Sequence, residues 1–147
     1  MKTILNRKAR HDYEFLEIFE AGVELKGTEV KSIRMGLANL KDAYADIEHG
    51  EVFVNNLHIS PYKFAAENFN HNPYRKKKIL LHKSQIRKLI GKIKEKGLTL
   101  VPIKLYSKNG LIKMELALGK GKKLYDKRRD LKERDLKREK EQSLKYS

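Results

Sequence analysis

The chain has 147 residues, enough for one compact domain with an appendage. Its 34 Lys and Arg against 19 Asp and Glu give a formal charge of +15, which points to a polyanionic partner, nucleic acid before membrane. With no cysteine the sequence excludes disulfides and thiolate metal sites, and no apolar run approaches a membrane span, so the reading is a cytoplasmic protein with no membrane partner.

The N-terminus MKTILNRKARHDYEF has no sustained apolar region of the kind a signal peptide needs. HDYEFLEIFEAG then reads as a short helix, with Asp12 as its cap, Tyr13, Leu16 and Phe19 as its inner face, and Gly22 as its left-handed stop. After it the period changes to two. VELKGTEVKSIR, DAYADIEHGEVFV and GLTLVPIKLYSKNGLIKMELAL alternate apolar and polar residues, with turns at His49-Gly50 and Asn109-Gly110, and predict about five or six strands. RKKKILLHK reads as a strand with charged flanks. From about Ser84, Ile86, Leu89, Ile90 and Ile93 stand at helical spacing, Lys and Arg cover the other directions, and Gly97 ends the helix. Short antiparallel strands with one intervening helix point to a mainly β fold with short helices, a small OB-like barrel over residues 1–118.

From Gly119 the alternation stops, and residues 119–147 form a basic C-terminal tail. Asp130 with Arg134, Glu133 with Lys137 and Glu141 with Lys145 are acid-before-base pairs four residues apart, each worth a few tenths of a kcal/mol to a helix. Leu124 and Leu131 fall together on a helical wheel but Leu136 and Leu144 point elsewhere, so no face is wide enough to bury and this helix needs an external surface to form on.

The charge is concentrated. Arg75 to Lys96 carries a net +9 and the tail +6, which account for the whole +15, so the rest of the chain is neutral on balance. Two discrete basic patches favour a binding surface over solubility alone. Arg75, Lys76, Lys77, Lys78, Lys120 and Lys122 are the expected phosphate contacts, with Lys31 as a further expected RNA contact.

Chemistry of other kinds finds little support. The five histidines show no metal-ligand spacing, and no metal or cofactor is expected. His11, Asp12 and Glu14 are the nearest approach to a catalytic cluster and define the alternative of a nuclease, but capping accounts for Asp12 already. GTEVKSIR places Glu29, Lys31 and Arg34 on one side of a strand or its end. There Glu29 is either one partner of a surface ion pair, worth at most about 1 kcal/mol, or an acceptor for base amino groups. Tyr44, Tyr62, Tyr74 and Phe69 either stack on unpaired bases or serve as core and turn residues.

Six stretches occur in one order: NRKARHDY, EAGVELKGTEVKSIR, GEVFVNNLHISPY, NHNPYRKKKILLHKSQI, LTLVPIKLY and GKKLYDKR. Together they resemble the small protein B family, the SsrA-RNA-binding proteins of bacterial trans-translation, over nearly the whole chain. The resemblance implies a non-enzymatic adaptor. Its OB-like barrel grips the transfer-RNA-like domain of transfer-messenger RNA, and its tail, disordered when free, becomes helical in a stalled ribosome. It places the family's RNA-contacting acid at Glu29, its strand-end contacts at Leu80 and His82, and a basic contact at Lys113. The ribosome-acting motif falls on Asp126, Lys127 and Arg128, beside Tyr125. It also implies the ribosome, through ribosomal RNA, and elongation factor Tu with the charged RNA as partners. Many members carry Asn where this chain has His82. A ribosomal protein or general single-stranded RNA-binding OB protein is the other reading that the composition allows.

Overall fold

The computed structural model describes residues 1–122; residues 123–147, with Tyr125, Asp126, Lys127, Arg128 and the expected tail helix, lie outside the described residues. The described chain is mainly β with short helices, as its alternation predicts. Its helices are α1 (Arg7–Asp12), α2 (Gly27–Arg34) and α3 (Lys83–Lys96). Its strands are β1 (Ile4–Leu5), β2 (Tyr13–Val23), β3 (Ala38–Asn39), β4 (Tyr44–Glu48), β5 (Glu51–Asn55), β6 (His58–Ile59), β7 (Lys77–Leu80), β8 (Thr99–Lys108) and β9 (Leu111–Gly121). Seven of these strands make one sheet in the order β1-β8-β9-β2-β7-β5-β4, and β3 pairs with β6 separately. The pairings are antiparallel throughout. The sheet is not hydrogen-bonded into a ring, but its edge strand β4 lies against β8, so it curls into a barrel-like form compatible with an OB fold. No helix among the described residues is long and apolar enough to cross a membrane.

Both turn signals act as the sequence predicts. His49 and Gly50 have φ of 50° and 76°, and Asn109 and Gly110 have 52° and 76°, the left-handed pair that matches the twist of a two-residue hairpin. Helix α3 ends at Gly97 with φ 61° and buries Ile86 and Leu89 against the core. That core, with Ile33, Leu57, Ile59, Leu105, Met114 and Leu116 fully shielded from solvent, fills the inside of the curled sheet.

Two segments differ from their sequence reading. HDYEFLEIFEAG is not a helix: α1 ends at Asp12, and Tyr13 opens the eleven-residue strand β2. Leu16, assigned to an inner helical face, is 52% exposed. Long-range pairing decides the matter, because β2 bonds to β9 on one side and to β7 on the other, and a helix would leave both ladders unmade. The cap of α1 is Asn6, whose Oδ1 accepts from the Ala9 amide at 3.1 Å while its Nδ2 donates to the Pro102 carbonyl at 2.8 Å. Conversely GTEVKSIR is not a strand but the whole of α2, which buries Glu29, Ser32 and Ile33 at positions i, i+3 and i+4. Strand β9 runs on past residue 118, with Gly119 and Lys120 opposite Phe15 and Glu14. The Lys122 amide then donates to the Asp12 carbonyl at 2.9 Å.

Candidate nucleic-acid interface

Three strands bring the distant motifs together. Gly22 of β2 stands opposite Leu80 of β7 on one side and opposite Lys113 of β9 on the other, so Leu80, Gly22 and Lys113 form a row across the sheet. Gly22 leaves this row open. A Cβ added there would lie 3.3 Å from the Leu80 Cβ, and the side chain would fill the floor between its neighbours. On one side of the row lies a groove of about 580 Å³ lined also by His82, Lys83 and Glu20; on the other lies one of about 310 Å³ lined also by Arg34 and Leu111. Leu80 is 50% exposed between them, an apolar contact held out from a strand end.

His82 is the N-cap of α3, and its backbone amide donates to Gln85 Oε1 at 3.1 Å. The acids in the larger groove are already engaged. Glu20 accepts from the Tyr106 hydroxyl, which does most to hold its carboxyl below the usual range against the raising effect of burial, and Lys108 and Lys113 help. Glu51 meets Lys78 Nζ at 3.1 Å. The groove thus keeps cationic and apolar surface available for an anionic ligand.

The remaining expected contacts are distributed less evenly. Lys31, on α2, lies 5.3 Å over the Tyr62 ring. Lys76 pairs with Glu48 and lies 4.5 Å over the Phe53 ring. Lys120 is exposed on β9, whereas Lys122 Nζ donates to the Arg10 carbonyl at 3.1 Å and fastens the end of the described chain to α1. His11 and Asp12 are 3.1 Å apart at the end of α1, and among the described residues no group of three His, Cys, Asp or Glu is placed to hold a metal ion.

Glu29 and Lys77 require correction, because both are 0% exposed. Glu29 accepts from Arg75 Nη2 at 2.6 Å and from its Nε at 3.2 and 3.3 Å, and from the Lys26 amide at 2.7 Å; Lys77 Nζ stands 3.8 Å from its other oxygen. Burial pushes the Glu29 carboxyl up, but Arg75, the Lys26 amide and Lys77 together hold it below its usual value. Lys77 donates to the Leu57 carbonyl at 2.9 Å, and burial lowers its pKa to about 8, with Glu29 opposing the shift. In this fold neither side chain is open to solvent. Of this cluster only Arg75 comes to the surface, its side chain about a quarter exposed, and it also donates to the Glu24 and Lys76 carbonyls.

Sequence reasoning therefore missed Gly22, taken for a helix stop, and the linkage of Glu29 to Arg75 across 46 positions. A glycine inside a strand pattern signals close approach, so Gly22 had a readable sign once β2 was seen as a strand. The ion pair had none.

Comparison with known proteins gives the chain its relatives. The family model described as SmpB protein matches residues 3–146. The SsrA-binding protein of Geobacter metallireducens is 60% identical, over 95% of this chain and 90% of its own length, and that of Bacillus subtilis (strain 168) is 56% identical over 97% and 90%. A solved chain described as "tmRNA-SmpB: a journey to the center of the bacterial ribosome" superimposes with a TM-score of 0.69 at 49% identity, covering 84% of this chain and 87% of that one.

Proposed function

The chain belongs to the SmpB family, and on that premise we propose that it is an RNA-binding adaptor. It binds the transfer-RNA-like domain of transfer-messenger RNA and delivers it to stalled ribosomes for trans-translation, where incomplete peptides are tagged. The observation that carries this reading is the Leu80–Gly22–Lys113 row with His82 beside it, since three separate motifs of the sequence converge there on an open groove. Leu80 and His82 meet unpaired bases. Lys113, Lys31, Lys76, Lys78 and Lys120 meet phosphates, and Lys122 lies at the root of the tail. A-form RNA hides its major groove, so a shaped RNA with splayed bases is the ligand such a groove can distinguish.

Glu29 and Lys77 serve this interface from inside by fixing Arg75 and α2. The barrel runs to the end of β9 at Gly121, three residues beyond the boundary read at 118, and it divides the work with the tail that follows: Tyr125, Asp126, Lys127 and Arg128 act on the ribosome. Elongation factor Tu joins with the charged RNA. The protein works in the cytoplasm and catalyses no reaction.

The test is binding of the full chain to a transfer-RNA-like transcript and to an unstructured RNA of equal length at one salt concentration. The adaptor prefers the structured RNA by tenfold or more. Equal affinities make it a general RNA binder instead, and cleaved RNA in the same tubes makes it a nuclease.

A further inference from the structure

The segment from Ser60 to Tyr74 joins β6 to the approach of β7 with no strand or α-helix, yet its own polar groups hold it in shape. Asn70 clamps Tyr62 from both sides: its Nδ2 donates to the Tyr62 carbonyl at 2.9 Å, and its Oδ1 accepts from the Tyr62 amide at 3.0 Å. His71 beside it is buried, 2.9 Å from both Thr28 Oγ1 and the Ile59 carbonyl. The Asn72 side chain accepts from the Tyr74 amide at 2.9 Å. All this order ends in aromatic rings left in water, with Phe64 73% and Phe69 76% exposed. Core packing does not explain a braced loop that displays rings.

The surroundings of the rings say what they fit. Tyr62 and Phe64 meet edge to face at 5.5 Å, Lys31 lies 5.3 Å over Tyr62, and Lys63 lies 5.1 Å over Phe64. A partner protein with an apolar pocket would have to strip water from both ammonium groups, at a high cost. An RNA strand neutralises them with phosphate while its base takes the ring, which is how single-stranded nucleic acid is held. We propose that Tyr62 and Phe64, flanked by Lys31 and Lys63, form a second RNA site that stacks on one unpaired base, reached across α2 from the Leu80–Gly22–Lys113 row; this rests on the RNA-binding reading above.

The experiment uses the full chain and a transcript of the transfer-RNA-like domain, with Phe64→Leu and Phe64→Trp. The Leu variant weakens binding by roughly 5- to 100-fold, as loss of one base–aromatic stack does. The Trp variant binds like the parent. Neither changes the slope of log K against log salt, because no phosphate contact is lost, and neither changes the melting temperature, because the ring is exposed. In a scan of abasic nucleotides through the unpaired loops, one position loses the same factor, and Phe64→Leu adds nothing to it. Unchanged affinity for the transcript in Phe64→Leu overturns the proposal, including the case in which only binding to ribosomes in the absence of the transcript falls. Where the parent itself shows no preference for the structured transcript, it is the adaptor reading that fails, and the same comparison of Leu and Trp on an oligoadenylate of equal length still decides the stacking site.

Discussion

Lys76, Lys77 and Lys78 are identical neighbours with different fates. Lys76 and Lys78 lie on the outside of the barrel against Glu48 and Glu51, both pairs well exposed, while Lys77 is wholly buried beside Glu29. The strand period of two makes the difference, since successive side chains of β7 face opposite sides of the sheet. A run of positive charge in a sequence is therefore not a patch. Exposed charges are screened and exchange partners at little cost, so they suit RNA phosphates, whereas buried charges are held by one another and by fixed backbone groups and make a scaffold.

The sharpest way to break this contrast is to remove the buried acid. Glu29→Ala leaves Lys77 and the inner end of Arg75 uncompensated and costs about 3–5 kcal/mol, read as a lower urea midpoint. A surface carboxylate in the same sequence would cost at most about 1 kcal/mol. The acid side follows the same logic. The Glu29 carboxyl is lowered in the folded state, so its stabilising contribution is full above the ordinary value of 4.5 and is lost as the pH falls below it. An Ala variant as stable as the parent would return Glu29 to the surface.

Lys77 gives the next largest effect, with the opposite sign. Its folded pKa is lowered to about 8 from 10.5, so between these values the unfolded chain binds more protons and stability rises with pH. Relative to Lys77→Met, the parent gains up to about 3 kcal/mol as the pH is raised from below 8 toward 10.5. Urea midpoints of both proteins at pH 7 and pH 10 measure it, and a parallel response in the two would show that the ammonium is not buried.

RNA binding sharpens the outer half of the comparison. Lys113→Ala and Lys78→Ala each lower the slope of log K against log salt by roughly 0.7 to 0.9, one phosphate contact apiece, and Lys77→Met leaves it unchanged. Titrations at three salt concentrations decide this. An equal drop in Lys77→Met would place that lysine among the phosphate contacts after all.

These contrasts mark what was legible in the chain. The two hairpins and α3 could be read because their signals are local: left-handed Asn-Gly and His-Gly pairs, and isoleucines at helical spacing. The OB-like class followed from them; Leu80, His82 and Lys113 were named one by one through the family resemblance, and their meeting along one groove is seen only in the fold. The segments read wrongly were those decided by distant partners. Tyr13, Leu16 and Phe19 satisfy a helical spacing as well as a bulged strand does, and only the ladders to β7 and β9 choose between them. In α2 the residue that breaks the apolar stripe is Glu29, an acid buried where the pattern predicts hydrocarbon, and its justification, Arg75, lies 46 residues away.

The smallest expected effect tests where the groove ends. His82 begins α3, its amide bonded to Gln85, and its ring lies at the rim of the larger groove. An Asn there keeps a donor and an acceptor within reach of a base and is also a preferred N-cap, so His82→Asn holds stability within about 1 kcal/mol of the parent. His82→Ala removes the ring and its hydrogen-bonding atoms, and one lost hydrogen bond of about 0.5–1.5 kcal/mol weakens RNA binding by roughly 2- to 10-fold. Titrations of the three proteins at one salt concentration separate these outcomes. If Asn restores what Ala loses, a side-chain hydrogen bond at the start of α3 is part of the RNA contact. If all three bind alike, the contact stops at the Leu80–Gly22–Lys113 row, and the difference between His and Asn at this position belongs to helix capping alone.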